Sequence, residues 1–264
     1  MPFEINIPFT KLGWYMGFAV NFDMIFNGIN YLLVVVLWSV SVEEQYYLIW
    51  PLINKITSKY LFAIILGVLF ILSFYYRWIN YHNKGIIKYS TFSVMNDLIV
   101  GSVVALCSFE LNSFKDIIIG TKKWIIISIY VLLIICIPLR GFIYIFPDHI
   151  DRFLVSTEPF VFSLFFAFII LEQTYARNSF FKISKIKFFD YLGVISYGLY
   201  CYHMIFIFAT ALLFNLIFGN SIESSISIFI FQSIVSFLLT VLFSHLSYSY
   251  FEMPFLKLKN KYTA

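Results

Sequence analysis

The amino-acid sequence predicts an all-α, polytopic transmembrane helix bundle of about seven spans, preceded by an N-terminal re-entrant or interfacial stub. Three observations predict it. Of 264 residues, 61% are hydrophobic and 12% charged, against about 45–50% apolar and about 25% charged in soluble domains, so polar surface is too scarce to cover the apolar remainder in water. Seven long apolar segments occur, at about 31–53, 60–79, 92–109, 124–139, 159–175, 191–218 and 225–251, near the roughly 20 residues a spanning helix needs. Each exceeds the roughly 9–11 residues of a barrel strand and lacks its period-two alternation.

The first 30 residues are apolar but are interrupted by Lys11, Asn21, Asp23, Asn27 and Asn30, which leaves runs too short to span. Met1 is followed by Pro2, Phe3 and Glu4 rather than by a basic region and an apolar core, so no secretory signal peptide is expected. The fourth span is short between Trp124 and Arg140 and reaches normal length only if the turn Gly141 to Phe146 extends it. Cys107, Cys136 and Cys201 are scattered inside apolar runs, which excludes a disulfide scaffold. A net charge of +4 without a basic patch or stripe gives no nucleic-acid footprint.

The Lys and Arg residues lie between the spans and report topology. Twelve fall after the odd-numbered spans, from Lys55 to Lys261, and six on the other side, namely Lys11, Arg77, Lys84, Lys88, Arg140 and Arg152. The positive-inside rule then puts the C-terminus in the cytoplasm. With no fixed-period repeat and no Pro/Ser linker, residues 1–264 are expected to form a single membrane domain. Its function should show as polar residues at membrane depth.

The densest such place is the first span, where Glu43 and Glu44 adjoin. A centrally placed charge costs about 2.5–3.5 kcal/mol on insertion scales, so something must compensate. At 100° per residue Ser41, Glu44 and Gln45 lie within about 100° of one another, with Trp38 beside Gln45, while Glu43 points nearly opposite to Ser41. Glu44 is thus either a satisfied packing group or a proton-transfer group. In the sixth span Ser196, Tyr200 and His203 fall within about 60° of one face, and His203 is either an interhelical donor or a base. Gln232, Ser236, Thr240 and Ser244 form a hydroxyl row that reads as helix packing. Asp97 is a further buried-charge candidate, with Gly101 expected to let helices approach closely. Arg77, at the outer end of the second span, either snorkels or binds. No phosphate loop, metal-ligand spacing or nucleophile elbow occurs. Phe142, Tyr144 and Phe146 offer an aromatic platform for a sugar in the outer loop.

These residues carry a resemblance. Trp38-Ser-Val-Ser-Val-Glu-Glu-Gln-Tyr-Tyr-Leu-Ile-Trp-Pro-Leu52 resembles the hallmark segment of acyltransferase family 3, bacterial integral-membrane O-acyltransferases of cell-envelope glycans. Ser41, Glu44 and Tyr47 fit its Ser-x-x-Glu-x-x-Tyr motif. Leu192 to His203 is similar to its late segment ending in His, Tyr250 to Phe255 to its closing Glu-x-Pro, and Asp97 to Gly101 to its Asp-x-x-x-Gly span, with Arg77 before it. The family begins with further helices bearing a His and an Arg-rich motif, and the chain is expected to lack them. The resemblance implies transfer of an acyl group, most simply acetyl from acetyl-CoA as donor substrate with no bound cofactor and no metal, to a hydroxyl of an envelope polysaccharide or glycolipid. It implies Glu44, His203, Ser41 and Tyr47 as catalytic residues and Trp38, Glu43, Arg77, Asp97, Ser196, Tyr200 and Glu252 as substrate-binding ones. The expected setting is the cytoplasmic (inner) membrane. Two alternatives stand beside it: a remnant or subunit that takes the missing helices from a partner, and a proton-coupled transporter built on Glu44, Asp97 and His203.

Overall fold

Inside a bilayer no water is available to the backbone, so its N–H and C=O groups must pair within the chain. The regular elements of the computed structural model are accordingly helical throughout the described residues, 11–29, 35–56, 58–143, 147–219 and 226–263. They are α1 (Leu12–Met16), α2 (Val20–Asn27), α3 (Leu37–Ile56), α4 (Lys59–Ile79), α5 (Lys84–Tyr89), α6 (Thr91–Glu110), α7 (Asn112–Ile119), α8 (Lys123–Leu139), α9 (Asp148–Tyr175), α10 (Lys187–Val194), α11 (Ser196–Phe218), α12 (Ile226–Ser247) and α13 (Met253–Thr263). Tyr144 and Phe146 of the expected aromatic platform lie outside the described residues.

Five stretches among the described residues are long and apolar enough to cross a membrane: Lys59–Ile79, Lys84–Glu110, Asp148–Tyr175, Ser196–Phe218 and Ile226–Lys259. They correspond to the second, third, fifth, sixth and seventh predicted spans. The fourth differs in how it is completed. Helix α8 has 17 residues and passes as a span only when taken together with α7, from which it is bent by 88° at residues 120–122, while Arg140–Phe142 after it forms one 3-10 turn. The first predicted span is the 20-residue helix α3, whose Glu43, Glu44, Gln45 and Lys55 keep it out of the apolar set. In place of a span, the stub shows the two short helices α1 and α2.

The chain divides into two compact units, Gly13–Gly28 with Trp38–Lys182, and Met1–Leu12 with Ile29–Leu37 and Ile183–Ala264. In the larger unit α4, α6 and α9 pack on one another, and α4 and α6 enclose Phe62, Leu66 and Ile99, against which Trp50 and Ile53 of α3 also pack. Ser58 caps α4 by accepting the Leu61 N–H at 3.3 Å, and Asn83 caps α5 by accepting that of Ile86 at 3.1 Å, both ordinary N-cap residues.

In the smaller unit α11 and α12 pack side by side. Gly198 permits the approach, since a Cβ there would stand 3.1 Å from the Cα of Ser244, as expected of small-residue interfaces in membranes. Thr240 and Ser244 donate to the carbonyls of Ser236 and Thr240 at 2.8 and 2.7 Å, so the hydroxyl row satisfies itself along its own helix. Gly198→Val is expected to overpack this contact and to cost about 1–3 kcal/mol. Thermal unfolding in detergent would register it, whereas Gly67→Val, with open space around it, leaves the transition in place. After α12 the chain continues through a π-helical stretch, Tyr248–Glu252, into α13. Such bulges concentrate at functional sites, and this one carries Glu252.

Candidate active site

The polar stripe of α3 divides its labour. Ser41 is 1% exposed and accepts the Val20 N–H at 3.3 Å, at the start of a helix whose own N-cap, Ala19, supplies no side-chain bond. Gln45 donates to the Phe18 carbonyl at 2.8 Å and to Asn21 Oδ1 at 3.0 Å, and accepts from Thr91 Oγ1 at 2.6 Å. Asn21, fully buried, donates to the Tyr89 carbonyl at 3.2 Å and to Thr91 Oγ1 at 3.0 Å. This closed network fixes α2 to α3 and to the start of α6, and it holds the carbonyl of Phe18, whose φ of 50° is left-handed, a conformation that persists only where its surroundings impose it. Trp38 packs edge-on against Tyr89 at 5.3 Å between ring centres. Glu44 is half-buried and Glu43 exposed. Tyr47, 60% exposed, packs against Tyr46, which hydrogen-bonds Ser102.

Asp97 stands where two cavities of the larger unit adjoin. The first, about 750 Å³, is walled by Tyr46, Tyr47, Trp50, Phe62, Asp97 and Gly101 and reaches Lys59 and Glu110 at its end, which pair at 2.8 Å. The second, about 600 Å³, is lined by Trp38, Arg77, Lys88, Asp97, Gly101, Arg140, Glu158 and Ser163 among others. Arg140 pairs with Glu158 at 2.5 Å and lies 5.0 Å from the centre of the Phe162 ring. Asp97 Oδ1 accepts the Ser163 hydroxyl at 2.6 Å, which orients the carboxylate between the two cavities. Gly101 does not serve the close helix approach expected of it, because a Cβ there would meet no heavy atom within 4 Å. Its face of α6 is open space.

Arg77 does not snorkel. It is 3% exposed, and its Nε and Nη2 donate to the Val155 carbonyl at 3.1 and 2.7 Å, while Nη1 donates to the Ile87 and Ser93 carbonyls at 3.2 and 3.3 Å and to Ser93 Oγ at 2.7 Å. The Val155 carbonyl is the acceptor that residue 159 of α9 would bond in a regular helix. Residue 159 is Pro and has no N–H to give. The guanidinium supplies the missing donor and ties α4, α5, α6 and α9 together at the wall of the second cavity.

In the smaller unit His203 Nδ1 stands 2.6 Å from the Tyr200 carbonyl. A carbonyl only accepts, so Nδ1 carries the proton in this bond. The ring lines an α11–α12 groove of about 390 Å³ with Gln232, Ser236 and Thr240. The Tyr200 hydroxyl donates to the Val36 carbonyl at 3.2 Å. Ser196 is exposed at the first turn of α11 and Glu252 half-buried. No group of three His, Cys, Asp or Glu suited to a metal ion occurs among the described residues.

Trp38, Arg77 and Asp97 are thus brought to one cavity, and Tyr47 and Asp97 to another. Sequence reasoning missed Glu158, Ser163 and Arg140 as their companions, and Gln45 as the organiser of its network. It also passed over Glu172, 1% exposed, which accepts from Tyr130 at 3.1 Å and Gln173 at 2.7 Å. A helix begun at Asp148 would have found most of them, since Glu158, Phe162 and Ser163 then share a face.

A polytopic helix bundle with several helices long and apolar enough to cross a bilayer is a multi-pass membrane protein. The chain belongs to acyltransferase family 3, for the family model described as "Acyltransferase domain" matches residues 4–245. It is similar to O-acetyltransferase OatA of Staphylococcus aureus strains NCTC 8325 / PS 47, COL and MRSA252, 25% identical in each case over 235 residues, which is 84% of this chain and 36% of the relative. The chain therefore spans about 36% of the length of the curated relatives it matches. No solved structure gives a significant match.

Proposed function

We propose that the chain is one membrane domain that transfers an acetyl group from acetyl-CoA to a hydroxyl of a cell-envelope polysaccharide or glycolipid, and that it resides in the cytoplasmic membrane with its C-terminus in the cytoplasm. The observation that carries the reading is the Asp97 carboxylate facing two cavities of different chemistry in a chain of this family. The first is aromatic and aliphatic with the Lys59–Glu110 pair at its end, suited to a thioester arm. The second joins Trp38 to three cations and two carboxylates, suited to a polyhydroxylated acceptor.

In the reaction the acceptor oxygen bonds to the thioester carbonyl carbon and the carbon–sulfur bond breaks. The hydroxyl proton passes to Asp97 and leaves on the sulfur of coenzyme A. Tyr47 donates to the oxyanion, a role in which one donor is worth about 2.7–4 kcal/mol. Glu44 orients these groups from α3, Ser41 keeps α3 in place through α2, and His203 is a second proton-handling group in its own groove. Membranes from cells expressing the chain, given radiolabelled acetyl-CoA, are expected to incorporate label into envelope glycan. Movement of an unmodified solute without incorporation would replace this reading with a transporter. Glu44→Gln is expected to lower incorporation about tenfold, or ~1.4 kcal/mol; an unchanged rate would remove Glu44 from the site.

A further inference from the structure

We infer that the two cavities are the halves of one passage through the larger unit, joined past Gly101, and that the absent side chain at this position sets the widest acyl group the passage admits. The passage stands on geometry alone, while its cargo rests on the proposed acyl transfer.

Helix α6 has 20 residues, about 30 Å and enough to cross the hydrocarbon core. The first cavity reaches Glu110 at its C-terminal end, and the second reaches Lys88, just before its N-terminus. The first cavity therefore runs toward the C-terminal end of this helix and the second toward its N-terminal end, while Ala167 and Ile170 of α9 carry the second past the depth of Asp97, where the two overlap. Between those ends they share two residues, Asp97 and Gly101, one turn apart on the same face. The glycine is the informative one. At Gly198 smallness serves packing, because a Cβ would strike Ser244, whereas at Gly101 a Cβ would meet nothing within 4 Å. No neighbouring helix requires a glycine there; open space is what the missing side chain leaves. An acyl arm entering from the Lys59–Glu110 end would pass this point to reach a hydroxyl held between Trp38 and the Arg140–Glu158 pair, with the Asp97 carboxylate at the junction.

The test places single cysteines in the full chain after Cys107, Cys136 and Cys201 are changed to Ser. Sealed vesicles of either orientation are treated with a membrane-impermeant quaternary-ammonium methanethiosulfonate. Ala105→Cys, which lines only the first cavity, should react from one face, and Val94→Cys, which lines only the second, from the opposite face. Gly101→Cys should react from both, and Ile126→Cys, fully buried, from neither. Reaction at residue 101 from one face alone or from none overturns the joined passage, as does reaction of residues 105 and 94 from the same face. Asp97→Cys gives the same reading should Gly101→Cys fail to accumulate. For the size role, Gly101→Val should lower transfer from butyryl-CoA at least tenfold more than transfer from acetyl-CoA, and an equal loss for both overturns it. Absence of transfer by the unsubstituted chain refutes the acyl reading and leaves the thiol pattern to decide the passage.

Discussion

Arg77→Met is expected to destabilise the larger unit by about 1–3 kcal/mol, the cost of leaving a buried acceptor without its donor. The substitution keeps an unbranched side chain in the cavity wall but withdraws every donor from the Val155 carbonyl, which accepts from two guanidinium nitrogens at 3.1 and 2.7 Å. The Ile87 carbonyl loses less, since Ser93 still donates to it at 2.6 Å. The cost is concentrated on Val155 because Pro159 cannot bond it. A proline in a membrane helix is tolerated where neighbouring groups satisfy the freed carbonyl, and here that group comes from another helix. The same logic makes the effect testable against a merely steric one. Pro159→Ala returns an N–H to the Val155 carbonyl, so Arg77→Met with Pro159→Ala should be more stable than the sum of the single effects by about 1–2 kcal/mol, within the usual range of coupling between contacting residues. Thermal unfolding of the four proteins of this cycle in detergent gives the coupling directly. Strict additivity would show that the guanidinium does not stand in for the missing amide.

The clamp also shows what a sequence can and cannot express. Runs of apolar residues announce α4, α6, α11 and α12, because lipid is a uniform solvent and length alone decides whether it can be spanned. The first half of α9 gives no such signal. Asp148, Asp151, Arg152 and Glu158 lower its apolarity and Pro159 reads as a boundary, yet two of these charges find partners inside the fold, Glu158 pairing with Arg140 and Arg152 stacking over Tyr81 at 4.5 Å. Arg77 was visible only as a charge near a span end, since its partners are mostly backbone carbonyls, which have no side-chain signature. Ser41 and Gln45 were legible as a stripe, but not their partner, since α2 is only eight residues long and buries the polar Asn21 and Asp23 beside Val20 and Met24. Gly101 illustrates the last limit. A glycine one turn from an aspartate is equally consistent with a close helix contact and with a hole, and only neighbouring helices decide between them.

Asp97→Asn separates the two roles a carboxylate can play at that hole. The amide matches the carboxylate in size, and its oxygen can still accept the Ser163 hydroxyl now bonded at 2.6 Å, so the walls of both cavities persist and donor binding should change little. What disappears is the ability to take a proton from the attacking hydroxyl. General-base assistance is worth about 10²–10⁴-fold, and the turnover of acetyl transfer is expected to fall by that amount with the KM for acetyl-CoA within about threefold of its starting value, the pattern of an interaction made only in the transition state. Asp97→Glu keeps the chemistry but moves it by one methylene, and should recover part of the rate. Ser163→Ala, which frees the carboxylate to rotate, is expected to cost about tenfold, ~1.4 kcal/mol, through orientation alone. If Asp97→Asn raised the KM and left turnover intact, the carboxylate would be a ligand-binding group, and Glu44 would become the better candidate for the base, because it sits one turn before Tyr47 on a helix whose Ser41 and Gln45 are already committed to holding α2.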